Sequence, residues 1–343
     1  MHQRSSLNIS KVIALTLISI LLPSALAQER NQKTRDDEDA IKLETTLVQV
    51  PVTVTNTRGA YVTDLSAKDF ALYEDGIKQA IEFFKPVEAP FSVALLVDSS
   101  NSTADQLEQI RDSVRAFLDN MRAEDRAMII EFNDSVGTIC ELTGDKYRLR
   151  ESLADIKGGE FTQVYEAVYT AVWEKFERVD GRKAVILFSD GIDTASFEIK
   201  EEDTLDAVVE MEDVLVYPIR YGTKRDVMKR LARRFKPDFN EHIDDPIRCI
   251  PEEERMKLDR AYRQADAYLQ RLAESSGGVL EYADSLGDLK GAFQRIANEL
   301  RQQYLLGYYP SNMRKTRNAR RIIVEIPRGG FKVRARPAYT ITQ

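Results

Sequence analysis

From Leu43 to Asn56 the chain alternates, with Val48, Val50, Val52 and Val54 on one side and Leu47, Gln49, Pro51, Thr53 and Thr55 on the other. A period of two in β-branched residues predicts a half-buried strand. Arg58-Gly59 marks a turn, and short strands follow at Phe70 to Tyr73 and Gln79 to Phe84, broken by Glu74-Asp75-Gly76. Beyond Ala89, apolar runs alternate with segments of helical period. The runs predict strands at about 91–98, 127–132, 136–142, 184–190, 214–221, 278–282 and 303–309. Helices are predicted near 104–122, 145–155, 163–178, 200–211, 224–235, 254–275 and 286–301. Such alternation implies an α/β fold, a doubly wound and mostly parallel sheet with helices on both faces. The pair at 127–142, joined through Asn133-Asp134, is expected to run antiparallel at one edge.

Two regions depart from that plan. Pro237 to Pro251 is an irregular acidic insertion holding Asp238, Glu241, Asp244 and Asp245. It reads as a surface loop or as a carboxylate cluster for Ca²⁺, although the one-three-five spacing of an EF-hand is absent. In the tail, Ala319 to Pro327 and Phe331 to Ala335 read as a hairpin around Arg328-Gly329-Gly330. Isolated hairpins are marginal in water, so neither flank can bury a core by itself. The flanks at 41–88 and 311–343 are therefore expected to join into one small β domain beside the α/β domain at 89–310. Leu258, Ala261, Ala265, Tyr268, Leu269 and Leu272 form a helical stripe that packing explains, as it explains Trp173.

The N-terminus changes the picture of where the chain works. Arg4 and Lys11 precede and enter an apolar stretch from Val12 to Leu22, and Ala25-Leu26-Ala27 offers a small-residue cleavage site. Residues 1–27 are thus expected to be a signal peptide and 28–40 a charged, flexible leader. The apolar stretch is short of the about 20 residues that span a bilayer, and an uncleaved anchor is the alternative. Cleavage removes Arg4 and Lys11 and takes the formal charge from −7 to −9. An acidic, exported chain, periplasmic or secreted and with no stable membrane span, is a poor nucleic-acid binder. Cys140 and Cys249 are free to pair in an oxidising compartment or to stay apart. His242 is the only histidine after cleavage, and it sits in the acidic insertion.

Candidate chemistry lies at strand ends. Phe91 to Val97 runs directly into Asp98-Ser99-Ser100-Asn101-Ser102, and Val185 to Ser189 into Asp190-Gly191. Between them, Gly158-Gly159-Glu160-Phe161-Thr162 leads into a helix. A carboxylate with two hydroxyls offers only oxygen ligands, which suits a hard divalent cation such as Mg²⁺. The same Asp and Ser residues also suit a helix cap.

This ordered series, Asp-x-Ser-x-Ser, Thr and a strand-end Asp-Gly, resembles the metal-ion-dependent adhesion site of the von Willebrand factor A family over residues 91 to 309. The chain is most similar to the bacterial relative of that domain described from Acidobacteria. The flanks carry this likeness too, through Asp69-Phe70-Ala71-Leu72-Tyr73-Glu74-Asp75-Gly76 and Gln303-Tyr304-Leu305-Leu306-Gly307-Tyr308-Tyr309-Pro310. The resemblance implies that Ser100 and Ser102 ligate Mg²⁺ (or Mn²⁺ or Ca²⁺) through their hydroxyls. It implies that Thr162 joins directly or through water, and that Asp98 and Asp190 act largely through water. Glu160 and Phe161 stand between the double glycine and Thr162, and Glu160 is the alternative donor on that loop. An open coordination position would then accept an Asp or Glu carboxylate from a partner protein. The expected function is metal-dependent adhesion without catalysis, since no histidine base, nucleophile elbow, P-loop or HExxH accompanies the site. The alternatives are a metal-independent assembly protein of the cell envelope and a metal-assisted hydrolase.

Overall fold

The computed structural model describes residues 47–85, 90–103, 106–240, 242, 244–312 and 319–340. The expected signal peptide, the leader, Leu43 to Thr46, and Glu241 of the acidic insertion lie outside the described residues. The N-terminal flank supplies β1 (Val48–Asn56), β2 (Ala71–Glu74), β3 (Ile77–Gln79) and β4 (Phe83–Lys85). Next come β5 (Phe91–Asp98), α1 (Leu107–Asn120), β6 (Arg126–Phe132), β7 (Val136–Thr143) and α2 (Lys146–Ser152). Helix α3 (Val164–Tyr169) continues as a π-turn segment over Thr170–Lys175 and precedes β8 (Arg182–Ser189), α4 (Glu201–Glu210) and β9 (Val214–Tyr221). The chain then forms α5 (Lys224–Phe235), α6 (Pro246–Cys249), α7 (Glu252–Ser276), β10 (Glu281–Ala283) and α8 (Leu286–Arg301). It closes with β11 (Gln303–Tyr308), β12 (Arg320–Glu325), β13 (Phe331–Ala335) and β14 (Ala338–Tyr339).

The central sheet has the order β10-β9-β8-β5-β6-β7, parallel throughout except for the antiparallel β6–β7 edge pair. Strand β5 is buried along its whole length because both of its faces are covered. Val93, Leu95 and Val97 face a core shared with α1, α2 and α8. Ala94 and Leu96 face the opposite core, shared with α3, α4 and α7. Strand order reverses between β5 and β8, and in sheets of this kind ligands bind at that crevice, beyond the carboxyl ends of the strands.

Two further antiparallel sheets, β13-β1-β11-β4 and β14-β12-β2-β3, enclose a third core. Its apolar lining includes Val48, Val50, Val52 and Val54, the side of β1 that the alternation marks. Two expectations fail here. The tail strands β12 and β13 do not pair with each other. Strand β12 joins β2, whereas β13 joins β1, so Arg328-Gly329-Gly330 turns the chain from one sheet into the other. Strand β1 has β11 along one edge, and its other edge takes Phe331 to Ala335 along Val52 to Asn56. The run at 303–309 also leaves the parallel sheet. As β11 it pairs antiparallel with β1 and β4, placing Tyr304, Leu306 and Tyr308 in the flank core. A period of two fixes which side chains are buried and is silent about the partner strand.

The β sheets meet the α/β layer at the amino ends of the parallel strands. Arg336, 1% exposed, donates to the carbonyls of Val208, Val209 and Met211 at 2.9, 3.0 and 3.1 Å, where α4 ends. A guanidinium there satisfies orphan carbonyls and complements the helix dipole. Arg334 pairs with Glu299 and donates to the Gly277 carbonyl at 3.1 Å, and Gln303 donates to the Tyr217 hydroxyl at 2.8 Å. The carboxyl ends of the same strands lie at the far pole. The insertion is more than a loop, since Phe239 and Ile250 pack on Ala232 around α6. Asp244 pairs with Lys236 and Asp245 caps α6, so two of its carboxylates are engaged locally. Cys140 and Cys249 are both free thiols.

Candidate metal centre

Three loops meet at the far pole. The first leaves β5 at Asp98, whose side chain is fully buried. One Asp98 oxygen accepts the Ser100 N–H at 3.0 Å and the other accepts the Ser189 hydroxyl at 2.7 Å. Ser100 and Ser102 hydroxyls lie 3.0 Å apart, and the Ser102 hydroxyl bonds onward to the Asp190 carboxylate. Asp190, 1% exposed, also accepts the Ile192 N–H at 3.1 Å and the Thr223 hydroxyl at 2.5 Å. Asp98, Ser100, Ser102 and Asp190 thus form one hydrogen-bonded set. Thr103 ties the loop back, with its hydroxyl 2.9 Å from the carbonyls of both Asp98 and Ser100.

The second loop is bound to the other two through its backbone. Gly159 donates to the Ser99 carbonyl at 2.9 Å, and a Cβ on it would lie 2.5 Å from the Asn133 side chain, so that contact requires glycine. Asp134 accepts the N–H groups of Glu160 and Phe161. Thr162, 5% exposed, receives Thr194 and Ala195 N–H groups on its carbonyl at 3.0 and 3.1 Å, and its own N–H donates to the Thr194 hydroxyl. These backbone contacts carry Thr162 to the segment that follows Asp190. Glu160 is exposed. In the third loop Gly191 has φ +79°, and a Cβ there would meet Leu269 at 2.8 Å. That turn therefore needs glycine on two counts. Asp193 serves the fold, accepting Tyr165 and Ser196 N–H groups.

Charge makes this place unusual. Burial, and then the neighbouring Asp190 charge, pushes the Asp98 carboxyl up from the usual carboxylate range. Burial raises Asp190 as well, against the Thr223, Ile192 and Ser102 hydrogen bonds and the more distant Arg220. Arg220 itself pairs with Asp266 at 2.8 Å. Two adjacent buried acids without a bonded cation cannot both ionise cheaply. A divalent ion among Asp98, Ser100, Ser102 and Asp190 would relieve that cost, and the all-oxygen set fits a hard cation. The residues present therefore fit the implied metal. Among the described residues no group of three or more His, Cys, Asp or Glu gathers, so the hydroxyls are indispensable to any such site.

Residues 93–192 match the sequence model of the von Willebrand factor type A domain. Over those residues the chain is similar to the von Willebrand factor type A family. No curated protein matches it. Among solved structures, protein BatB from Bacteroides thetaiotaomicron is 20% identical over 62% of this chain and 98% of its own, with a TM-score of 0.41. A von Willebrand factor type A protein from Catenulispora acidiphila is 10% identical over 74% of this chain and 51% of its own, TM-score 0.45. Proximal thread matrix protein 1 of the mussel byssus, solved with a zinc-occupied adhesion-site motif, is 14% identical over 66% and 49%, TM-score 0.45. This chain thus spans about half the length of the last two. Likenesses this distant carry no argument about what this chain binds.

Two contributors to the site escape a reading of the sequence. Thr223 bonds Asp190 and stands just after β9, the next strand end along the sheet, so Gly222-Thr223 was the available signal. Glu131 holds the first and second loops together by accepting the Ser99 hydroxyl at 2.7 Å and the Lys157 N–H at 2.5 Å. It lies within an apolar strand, and nothing local marks it.

Proposed function

We propose that this A domain is an exported, metal-dependent protein-binding module, in which a divalent cation held at the pole bridges to a partner carboxylate. The observation that carries the reading is the pairing of two buried acids, Asp98 and Asp190, with the Ser100 and Ser102 hydroxyls and without a bonded basic side chain. Ser100 and Ser102 would supply neutral oxygens, and Thr162 would complete the set from the second loop. Asp98 and Asp190 would stabilise the charge, with Ser189 and Thr223 fixing their orientation. Bound there, Mg²⁺ or Mn²⁺ supplies a Lewis-acid position for a carboxylate oxygen.

Export rests on the residue pattern at 1–27. Among the described residues no helix is long and apolar enough to cross a membrane. The role assigned is binding rather than catalysis, with His242 exposed in the α5–α6 insertion and assigned no part in it. Affinity capture from an envelope extract tests the reading. Capture of a protein in Mg²⁺ that is lost in EDTA and lost with Asp98→Ala is the expected result. Capture unaffected by EDTA would favour the metal-independent assembly role. Phosphoester or peptide turnover dependent on Asp98 would favour the hydrolase.

A further inference from the structure

A groove of about 460 Å³ opens beside the metal centre. One wall is Gln163, which directly follows Thr162, with Glu166 and Tyr169 of α3 and Glu174 of the π-turn segment behind it. The other wall is Phe197, Glu198 and Ile199, on the segment that leaves Asp190. The groove starts where the second and third loops are bonded together. There the Thr162 carbonyl accepts the Thr194 and Ala195 N–H groups, and the Gln163 side chain donates to the Ala195 carbonyl at 3.3 Å. Glu166 spans the two walls, accepting the Phe197 and Glu198 N–H groups at 2.8 and 3.4 Å.

Three carboxylates line this groove, and no Lys, Arg or His does. Both of those N–H groups engage one Glu166 oxygen, and its other oxygen is without a hydrogen-bond partner among the described residues. Glu174 and Glu198 are exposed, and among the described residues neither side chain has a hydrogen bond or an ion pair. Lys175, which follows Glu174, is paired with Glu141 at 2.8 Å. The Phe197 ring is 86% exposed although its N–H is fixed, and Tyr169 and Ile199 are half-buried. Negative charge and aromatic faces in one groove match a cation with a planar body. A guanidinium pairs with carboxylates and stacks on aromatic rings, whereas an ammonium is a compact, strongly hydrated point charge.

We propose that this groove docks an arginine side chain of the partner protein, carried near the acidic residue that reaches the cation. The link to the cation rests on the metal-dependent reading above, whereas the groove itself binds arginine with or without the ion. Continuity with the metal centre favours a protein segment over a free polyamine. One segment can present its carboxylate to the ion and its guanidinium to Glu174 and Glu198. Exposed Glu160 on the second loop adds to the negative field that draws such a segment in.

The test uses the full chain and two fluorescent peptides, Gly-Arg-Gly-Arg-Gly and the same sequence preceded by Glu-Gly-Gly-Gly, with calorimetric Mg²⁺ binding measured alongside. Glu174→Gln/Glu198→Gln should bind the shorter peptide about tenfold more weakly at unchanged Mg²⁺ affinity. The control Glu151→Gln/Asp155→Asn makes the same charge change at exposed positions in and just after α2, across the sheet from α3. It should stay within about twofold of the wild type, because distant exposed charges are screened. Phe197→Ser should weaken binding about threefold. In the wild type, Mg²⁺ should tighten the longer peptide only. Equal losses in the two double variants, or none in either, overturn the proposal. Loss confined to Glu174→Gln/Glu198→Gln in a chain that binds no Mg²⁺ keeps the groove as the arginine site and removes the cation reading. Spermidine binding that depends on Glu174 and Glu198, in place of peptide binding, overturns the protein partner in favour of a free polyamine.

Discussion

Glu74 and Asp98 are both buried acids, 2% and 0% exposed, yet their surroundings differ in kind. Glu74 sits in the β sheets with one oxygen 2.7 Å from the Arg320 guanidinium. Its other oxygen accepts the Tyr308 and Tyr339 hydroxyls at 2.7 and 2.6 Å. Both oxygens have donors, and the charge has a counter-charge. Asp98 has hydrogen bonds from Ser100 and Ser189, but its nearest ionisable neighbour is another acid. The first arrangement is complete and therefore structural. The second is incomplete in charge among the described residues, and the proposed cation would complete it.

Removing the complete acid should cost most. Glu74→Ala takes the carboxylate away from buried Arg320 and from the Tyr308 and Tyr339 hydroxyls, and is expected to destabilise by about 3–5 kcal/mol in urea denaturation. A loss under about 1 kcal/mol would erase the contrast. Arg336→Met should come close behind at about 2–4 kcal/mol, because it strands three carbonyls at the end of α4. Asp98→Asn should do the reverse. Its amide oxygen still accepts the Ser100 N–H, and its NH₂ donates to the Ser189 hydroxyl in place of accepting from it. The repulsion is gone, so in EDTA it should stabilise by about 1–3 kcal/mol while losing cation binding. Equal destabilisation at Asp98 and Glu74 would mean that the two sites are alike.

The last effect concerns pH. Burial pushes the Glu212 carboxyl up from 4.5 to about 7, against the pull of Arg336 and the Gln49 N–H. Its folded value lies above its unfolded one, so the folded state holds the extra proton between them. Its contribution to stability is therefore full below about pH 4.5, falls by about 3 kcal/mol as pH rises to about 7, and is flat above. Glu212→Gln should flatten that slope, which melting temperatures across this range would read.

The same contrast explains what could be read from the sequence. The apolar runs at Phe91 to Val97 and Val185 to Phe188 declare both strands and the ends where Asp98 and Asp190 must emerge. Helix periods placed α1 to α5, α7 and α8, because each covers one face of that sheet or the insertion. The pairing of β12 and β13 was hidden, because Gly329-Gly330 specifies a turn and not whether the chain returns to the same sheet. The same holds for β11, whose Tyr304, Leu306 and Tyr308 alternate equally well for either partner. At the site, Asp98, Ser100, Ser102 and Asp190 lie together, and Thr162 is tied to the segment after Asp190 through its backbone. Thr223 and Glu131 come from β9 and β6, and only the strand order brings them near. Helix α5 was legible as a helix, but its position beside Asp190 was not.

Calorimetric titration of Mg²⁺ or Mn²⁺ into the wild-type chain and into Asp98→Asn tests the central claim most directly. Single-site binding at millimolar or tighter concentrations in the wild type, absent from a folded Asp98→Asn, is the predicted result. No heat in the wild type, or the same heat in both, would contradict it and leave two buried acids with no cation to explain them.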